Sequence, residues 1–179
     1  MKSEVYPVKL EEMITLSILK GTGNTGSVKK MLHVPTLKLY TIKEIPLINR
    51  EVHGVLKDWI SIWQAAQGES NDLLCNVYGT FWNVPEGYVS VMMEHMNGGS
   101  LETLLESSGA LPERCLQEVT GKLLPCIKEV YNKIKMQYGC IIPSQILFDQ
   151  KGNAKLSLGI AYRLNLYKKD FNSDSNAYR

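Results

Sequence analysis

The chain has 179 residues, of which 44% are hydrophobic and 21% are charged, and its formal net charge is +2. This length suits one ordinary domain or a small two-lobed one, and the composition is that of a globular protein. The small charge predicts no nucleic-acid partner and no membrane-surface partner. The N-terminus has no apolar signal core, and no run approaches the roughly 20 apolar residues of a membrane span.

The four cysteines and three histidines are spread along the chain. No two cysteines form a C-x-x-C pair, so we predict neither a zinc site nor a disulfide framework. The cysteines in question are Cys75, Cys115, Cys126 and Cys140. Reduced thiols and the absence of a signal core together predict a cytoplasmic protein.

The first third of the chain predicts three strands followed by a helix. Residues 13–19 and 27–33 are rich in β-forming side chains, and residues 37–45 alternate with period two. Residues 50–67 then carry apolar side chains at helical spacing. Trp59 and Trp63 lie four residues apart there, so we expect that face to be buried.

The rest of the chain predicts two more strands and then mainly helix. Residues 73–81 and 87–93 read as strands, and "NGGS" interrupts the pattern before a short helix that begins at Leu101. A long helix begins near Pro112, and its apolar positions recur every three or four residues: Leu116, Val119, Leu123, Ile127, Val130 and Ile134. Short strands are predicted at residues 141–148 and 154–158.

This order of elements predicts an α+β fold with two lobes. The first lobe, residues 1–96, is a five-stranded antiparallel sheet with one helix inserted after the third strand. The second, residues 97–165, is a short and mainly helical lobe, and residues 166–179 form a polar tail.

Glycines at residues 21, 23 and 26 form the pattern G-x-G-x-x-G within "LKGTGNTGSV". A dinucleotide-binding fold needs a helix directly after the third glycine, but "SVKKMLHVP" alternates as a strand does. The pattern instead favours a hairpin whose glycines let backbone amides approach phosphates. In such a hairpin Val28 would cover a base, and Lys43 on the third strand would reach the phosphates.

With this loop, Lys43 and the stretch "VSVMMEHMNGGSLETLL" at residues 89–105, the sequence resembles the protein kinase superfamily, and within it the mitogen-activated protein kinase kinases. The resemblance runs over about residues 13–164 and also includes "YGTFW", "GALPE" and "IPSQILFDQKGNAKL". It implies a protein-kinase-like fold and ATP as the cofactor, bound weakly or without magnesium. The implied nucleotide-binding residues are Gly21, Thr22, Gly23, Asn24, Thr25, Gly26, Val28, Lys43, Met93, Glu94, Met96 and Leu147.

The resemblance also implies a role for the predicted residues that follow Lys43 in the sequence. Met93 is similar in position to the gatekeeper, and Glu94 and Met96 would offer backbone groups to the adenine. Leu147 would form the floor under the base. Thr41 stands where the family usually has alanine.

The residues that carry out phosphoryl transfer in the family are missing from this sequence. Cys140 stands at the position of the catalytic aspartate, Gln145 at the magnesium-binding asparagine and Ser157 at the aspartate of Asp-Phe-Gly. The helix offers Asp58 where the family has the glutamate that pairs with the lysine. We therefore predict no catalytic residue and no metal site. Beyond Arg163 the sequence carries no Ala-Pro-Glu motif.

Three functions are compatible with this combination. The preferred one is a pseudokinase or truncated kinase that binds nucleotide and acts as a scaffold or regulator by docking to another kinase or cascade protein. The first alternative is an active ATP-dependent protein kinase of which this sequence is a fragment. The second is an interaction module that binds no nucleotide.

Overall fold

The structure is a computed structural model that describes residues 8–19, 26–48, 50–67, 73–134, 138–160 and 164. Residues 21–25 of the glycine-rich motif and the predicted tail at residues 166–179 lie outside this range. The elements below are numbered in chain order.

The first lobe is built on a five-stranded antiparallel sheet with the strand order β1-β2-β3-β5-β4. Each neighbouring pair is a hairpin except β3 and β5, which meet because the chain between them forms a helix and the edge strand β4. The predicted five-stranded antiparallel lobe is confirmed. The strands are β1 (Met13–Leu19), β2 (Val28–His33), β3 (Lys38–Pro46), β4 (Val77–Asn83) and β5 (Tyr88–Glu94).

Helix α1 (Arg50–Gln67) follows β3, as its apolar spacing predicts. The buried side chains recur every three or four residues, so they share one face of the helix. That face packs on the sheet and on the second lobe through Val52, Leu56, Trp59, Ile60, Trp63 and Ala66.

The second lobe contains two helices and a small sheet. Helix α2 (Leu101–Ser108) begins at Ser100, whose hydroxyl accepts a hydrogen bond from the Thr103 N–H at 3.1 Å and so caps the helix. Helix α3 (Glu113–Ile134) starts just after Pro112. The three-stranded sheet, in the order β6-β7-β8, consists of β6 (Gly99–Ser100), β7 (Ile146–Phe148) and β8 (Ala154–Leu156).

Three predicted strands are shorter than expected, and one of them, β8, ends at Leu156 rather than at residue 158. Strand β4 begins at Val77 rather than at residue 73, because Leu74 pairs with Leu156 of the second lobe and the Cys75 N–H donates to Leu156 O at 2.8 Å. The strand predicted at residues 141–148 is reduced to β7, since a 3₁₀ turn occupies Pro143–Gln145.

One hydrophobic core joins the sheet, α1 and the second lobe. Its completely buried members come from both lobes and include Ile45, Leu56, Trp63, Leu74, Val89, Leu156 and Leu158. A smaller cluster of Met31, Tyr40, Ile42 and Met92 covers the opposite face of the sheet. In the part of the chain that the structure describes, we find no helix with the length and apolarity needed to cross a membrane.

The predicted stripe of α3 is only partly buried. Leu123 is buried and Val119 and Ile127 pack at the edge of the core, but Leu116 is 44% exposed. The side chains of Val130 and Ile134 lie outside the described set. The stripe is therefore correct as a helical pattern, although its N-terminal end faces solvent.

Candidate functional site

Lys43 lies in the middle of β3, between β2 and β5. Its Cα partners are Val28 on one side and Val91 on the other. Directly opposed residues of a sheet project from the same face, so Val28 and Lys43 face the same side. Thr41, which projects from that face as well, is paired with Met93. The sheet thus brings together Val28, Lys43 and Met93, three of the predicted nucleotide-binding residues.

Burial sets the electrostatics of Lys43. The side chain is partly buried, and desolvation lowers its pKa below the ordinary value, with the nearby Cys140 thiol opposing this effect. Among the described residues, no carboxylate forms an ion pair with Lys43. The ammonium group is therefore a desolvated cation without a neighbouring anion in this part of the chain.

Asp58, which stands at the position of the family's pairing glutamate, forms no ion pair with Lys43. Asp58 is exposed to solvent, whereas the next residue, Trp59, is 3% exposed and points inward. Trp59 Nε1 donates a hydrogen bond to the Leu158 carbonyl at 2.7 Å. A neutral, hydrogen-bonded indole thus joins the inward face of α1 to the second lobe.

A second tryptophan of α1, Trp63, also donates a hydrogen bond to a backbone carbonyl. Trp63 Nε1 donates to the Cys75 carbonyl at 3.0 Å, and its ring centroid lies 5.8 Å from that of Tyr138. Tyr138 in turn donates its hydroxyl proton to the Ser157 carbonyl at 2.6 Å. These aromatic contacts fix α1 against residues 157–159 without using any charged group.

Gly159 allows the backbone of residues 157–159 to approach Tyr138 and Cys140 closely. Its φ angle is +63°, and a Cβ atom there would lie 3.1 Å from the Tyr138 ring and 3.2 Å from Cys140 Cβ. Only glycine accepts both the left-handed backbone and the close approach. The backbone at residues 157–159 is therefore held against Tyr138 and Cys140.

The positions that resemble the acidic and metal-binding sites of kinases carry neutral side chains here. Cys140 is 3% exposed, and Gln145 is 8% exposed with its Oε1 atom buried and without a hydrogen-bond partner among the described residues. Ser157 is joined to Gln145 through the backbone, N–H to carbonyl, at 2.8 Å. Mg²⁺ prefers carboxylate oxygens, so one neutral amide and one hydroxyl are a poor ligand set for it.

The described part of the chain contains no group of three or more His, Cys, Asp or Glu side chains that could hold a metal ion. A thiol is also a poor proton acceptor at neutral pH compared with a carboxylate. Among the described residues, the arrangement presents the Lys43 ammonium group without an ion-paired carboxylate that could orient a hydroxyl or a metal.

The predicted hinge follows β5 and is held by side chains. Both carboxylate oxygens of Glu94 accept from Lys155 Nζ at 2.9 Å, and Oε2 also accepts from Asn76 N at 3.2 Å and Asn76 Nδ2 at 3.1 Å. Met93 and Met96 are both buried. The side chains here are used for structure, and so is part of the backbone, since the Glu94 N–H donates to the Asn76 carbonyl at 2.8 Å and the Met96 carbonyl accepts from the Gly99 N–H at 3.3 Å.

Thr41 makes a contact that the sequence did not predict. Its Oγ1 lies 3.0 Å from Nδ1 of His95, so the third strand is hydrogen-bonded to the hinge. Burial, with a smaller contribution from Lys30, lowers the pKa of His95, and a neutral imidazole can accept the Thr41 proton. Leu147, the predicted floor, lies on β7, half-buried and paired with Ser100 and Lys155.

Of the glycine-rich motif, the structure describes Gly26 alone. Its φ angle is +89°, a left-handed conformation that favours glycine. The remaining predicted residues of the motif, Gly21, Thr22, Gly23, Asn24 and Thr25, lie outside the described residues and stay predictions.

Several structurally important residues were not singled out from sequence. The spacing of Trp59 and Trp63 predicted burial, but not that both indoles would donate to backbone carbonyls. Nothing in the local pattern indicated the contacts of His95, because its partner Thr41 is distant in sequence.

The fold and these positions together define a class of protein. The family model for the protein kinase domain matches residues 16–177 of this chain. Because the match covers most of the sequence, the chain belongs to the protein kinase domain family.

A relative narrows the resemblance within that family. Mitogen-activated protein kinase kinase 3 of Arabidopsis thaliana is 26% identical over 137 residues, which is 76% of this chain. The aligned region is 26% of the relative's length. The chain thus spans about a quarter of that protein, and it is similar to a mitogen-activated protein kinase kinase over that region.

Proposed function

We propose that this protein is a kinase-like nucleotide-binding protein that does not transfer phosphate and that acts as a regulator or scaffold in a kinase cascade. One observation supports it most: Lys43 is a desolvated cation with no ion-paired carboxylate in the described chain, while Cys140, Gln145 and Ser157 are neutral. A buried, unpaired charge is unfavourable unless an anion approaches it. ATP would be the ligand, with Lys43 facing its phosphates.

Binding without magnesium follows from the same charge balance. In active kinases, metal ions neutralise the phosphates and are themselves held by acidic side chains. Here the corresponding side chains carry no charge, so a divalent cation gains little from this site. We therefore infer that ADP and ATP bind as the free anions.

Thermal and urea unfolding with ATP or ADP, in the presence of either Mg²⁺ or EDTA, tests this function. Nucleotide at about a hundred times its Kd should stabilise the folded chain by about 2.7 kcal/mol, with Mg²⁺ adding nothing. Lys43→Met should abolish this stabilisation. Lys57→Met, the same change at an exposed position of α1, should leave it unchanged.

Two results would contradict the proposal in different ways. If no nucleotide changes the unfolding curve under either condition, the nucleotide site is wrong and a pure interaction module is favoured. If the purified chain phosphorylates a protein substrate with Mg²⁺-ATP and Lys43→Met abolishes that activity, the protein is an active kinase.

A further inference from the structure

Glu44, the residue after Lys43, ties the exit of the glycine-rich motif to strand β3. Ser27 Oγ donates to one oxygen of the Glu44 carboxylate at 2.6 Å, and Lys29 Nζ donates to the other at 2.6 Å. The Glu44 backbone N–H donates to the Ser27 carbonyl at 2.8 Å. One residue of β3 therefore holds the start of β2 through both its side chain and its backbone.

Gly26 brings the motif still closer to the same residue. A Cβ atom at Gly26 would lie 1.7 Å from the Glu44 carbonyl oxygen, so no other side chain can be placed there without moving the backbone. Glu44 thus holds residues 26–29 against β3 by a close backbone contact and by two side-chain hydrogen bonds, in addition to the pairing of Val28 with Lys43 and of Lys29 with Ile42.

The carboxylate is charged when it makes these bonds. Burial alone would raise the pKa of Glu44, but the hydrogen bonds from Lys29 and Ser27 outweigh it and hold the pKa below the ordinary value. The Lys29 and Glu44 side chains are each 29% exposed. Pairs with this much exposure contribute little to global stability, so the effect of this pair is local.

We propose that Glu44 is a positioning residue that holds residues 26–29 at a fixed place beside Lys43, so that both contact the phosphates of one nucleotide. This inference rests on the proposed function. Lys43 and Glu44 are consecutive on β3, and Lys43 is paired with Val28 inside the clamped segment. Any movement of the segment away from Glu44 would therefore change its distance from Lys43.

The negative charge of Glu44 separates an electrostatic effect on ATP binding from a positioning effect. A carboxylate close to bound phosphates repels them, so its removal would strengthen ATP binding if electrostatics alone were at work. Loss of positioning has the opposite sign, because a loosened contact binds its ligand less well. The two explanations therefore predict opposite changes in affinity for Glu44→Ala.

The experiment measures the affinity of wild type and Glu44→Ala for ATP and for adenosine, in EDTA, by isothermal titration calorimetry. We expect ATP affinity to fall about tenfold in the variant, with adenosine affinity unchanged because adenosine has no phosphates. Glu86→Ala, the same change at an exposed turn between β4 and β5, should alter neither affinity. Glu44→Gln, which retains an acceptor for Ser27 and the side-chain volume, should show a smaller fall.

Amide hydrogen exchange gives a readout without ligand. The amides of residues 27–29 should exchange faster in Glu44→Ala than in wild type or in Glu86→Ala. An ATP affinity that rises or stays equal, an equal loss for ATP and adenosine, or unchanged exchange at residues 27–29 would each overturn the positioning role. A wild-type chain that binds neither ligand would instead overturn the proposed function, and the positioning role with it.

Discussion

Lys43 has an unusual environment for a lysine. It lies on a central strand and is desolvated, and Cys140, rather than a carboxylate, is the group that opposes the effect of desolvation on its pKa. Desolvation disfavours the charged form of an amine. The folded protein therefore holds the Lys43 proton less tightly than the unfolded chain does, and its stability must depend on pH through this residue.

The sign of that dependence can be worked out. Between the lowered folded pKa of Lys43 and the ordinary value of 10.5, the unfolded chain binds more protons, so the free energy of unfolding rises with pH. We expect Lys43→Met to remove this contribution. The stability of wild type relative to Lys43→Met should increase as pH is raised from 7 toward about 10.

Urea unfolding at several pH values, followed by circular dichroism, measures the difference between the two proteins. Lys57→Met, at an exposed position, supplies the control and should follow wild type at every pH. A difference between wild type and Lys43→Met that stays constant with pH would show that Lys43 titrates as an ordinary surface lysine.

The residues of the site were predictable to different degrees. Lys43 could be located because strand alternation and the distance from the glycine motif agree, and its pairing with Val28 confirms the register. The direction of the Asp58 side chain could not be predicted in the same way, since neighbouring residues of a helix differ by about 100° in direction. A shift of one residue exchanges the exposed Asp58 for the buried Trp59.

Among the elements, α1 has the most consequential contacts. Its two indoles donate to the carbonyls of Leu158 and Cys75, both of which lie in buried segments. In a low-dielectric core, a carbonyl that loses its donor pays the full cost of desolvation. Helix α1 is thus attached to the second lobe by the Trp59 hydrogen bond, whereas the Trp63 hydrogen bond holds it to the segment before β4.

Trp59→Phe tests this attachment, because phenylalanine keeps an aromatic ring and removes the N–H. We expect the free energy of unfolding to fall by about 1–3 kcal/mol, since the Leu158 carbonyl is left without its donor. Trp82→Phe removes an N–H that donates to the Thr80 hydroxyl on a partly exposed strand, so its cost should be smaller. Equal costs in urea unfolding experiments would contradict the role assigned to Trp59.

Elements with local partners were the ones that the sequence predicted well. Strands β1, β2 and β3 are successive hairpin partners, so their alternating patterns are enough to place them. Strands β6, β7 and β8 are two or three residues long. The strands β7 and β8 form a local hairpin, but β6 pairs with β7 across a long stretch of sequence, and a run of two residues carries no signal for that.

Helix α3 shows a related limit. Its apolar spacing is regular, yet Leu116, the first residue of the predicted stripe, is 44% exposed. Periodicity reports which residues share a face of a helix, but it does not report how much of that face a neighbour covers. The extent of burial depends on packing of the second lobe, which the local sequence does not encode.

At the scale of the whole molecule, the two lobes share one core. Leu74, just before β4, pairs with Leu156 of β8, and the backbone N–H of Leu156 donates to Leu73 at 2.8 Å. The Lys155–Glu94 ion pair links the same strand to the end of β5. Because one cluster includes buried residues of both lobes, neither lobe can unfold without exposing apolar surface of the other.

Leu156→Ala should therefore destabilise the whole chain in one step. Leu156 is fully buried, and such a truncation costs about 2–5 kcal/mol. Tryptophan fluorescence reports on Trp59 and Trp63 in the shared core. Within wild type, and again within Leu156→Ala, the unfolding midpoint from fluorescence should equal the midpoint from far-ultraviolet circular dichroism. Leu124→Ala, at a residue 61% exposed on α3, should change stability by no more than about 0.5 kcal/mol. Separate midpoints for the two probes would mean that the lobes unfold independently and that the shared core does not couple them.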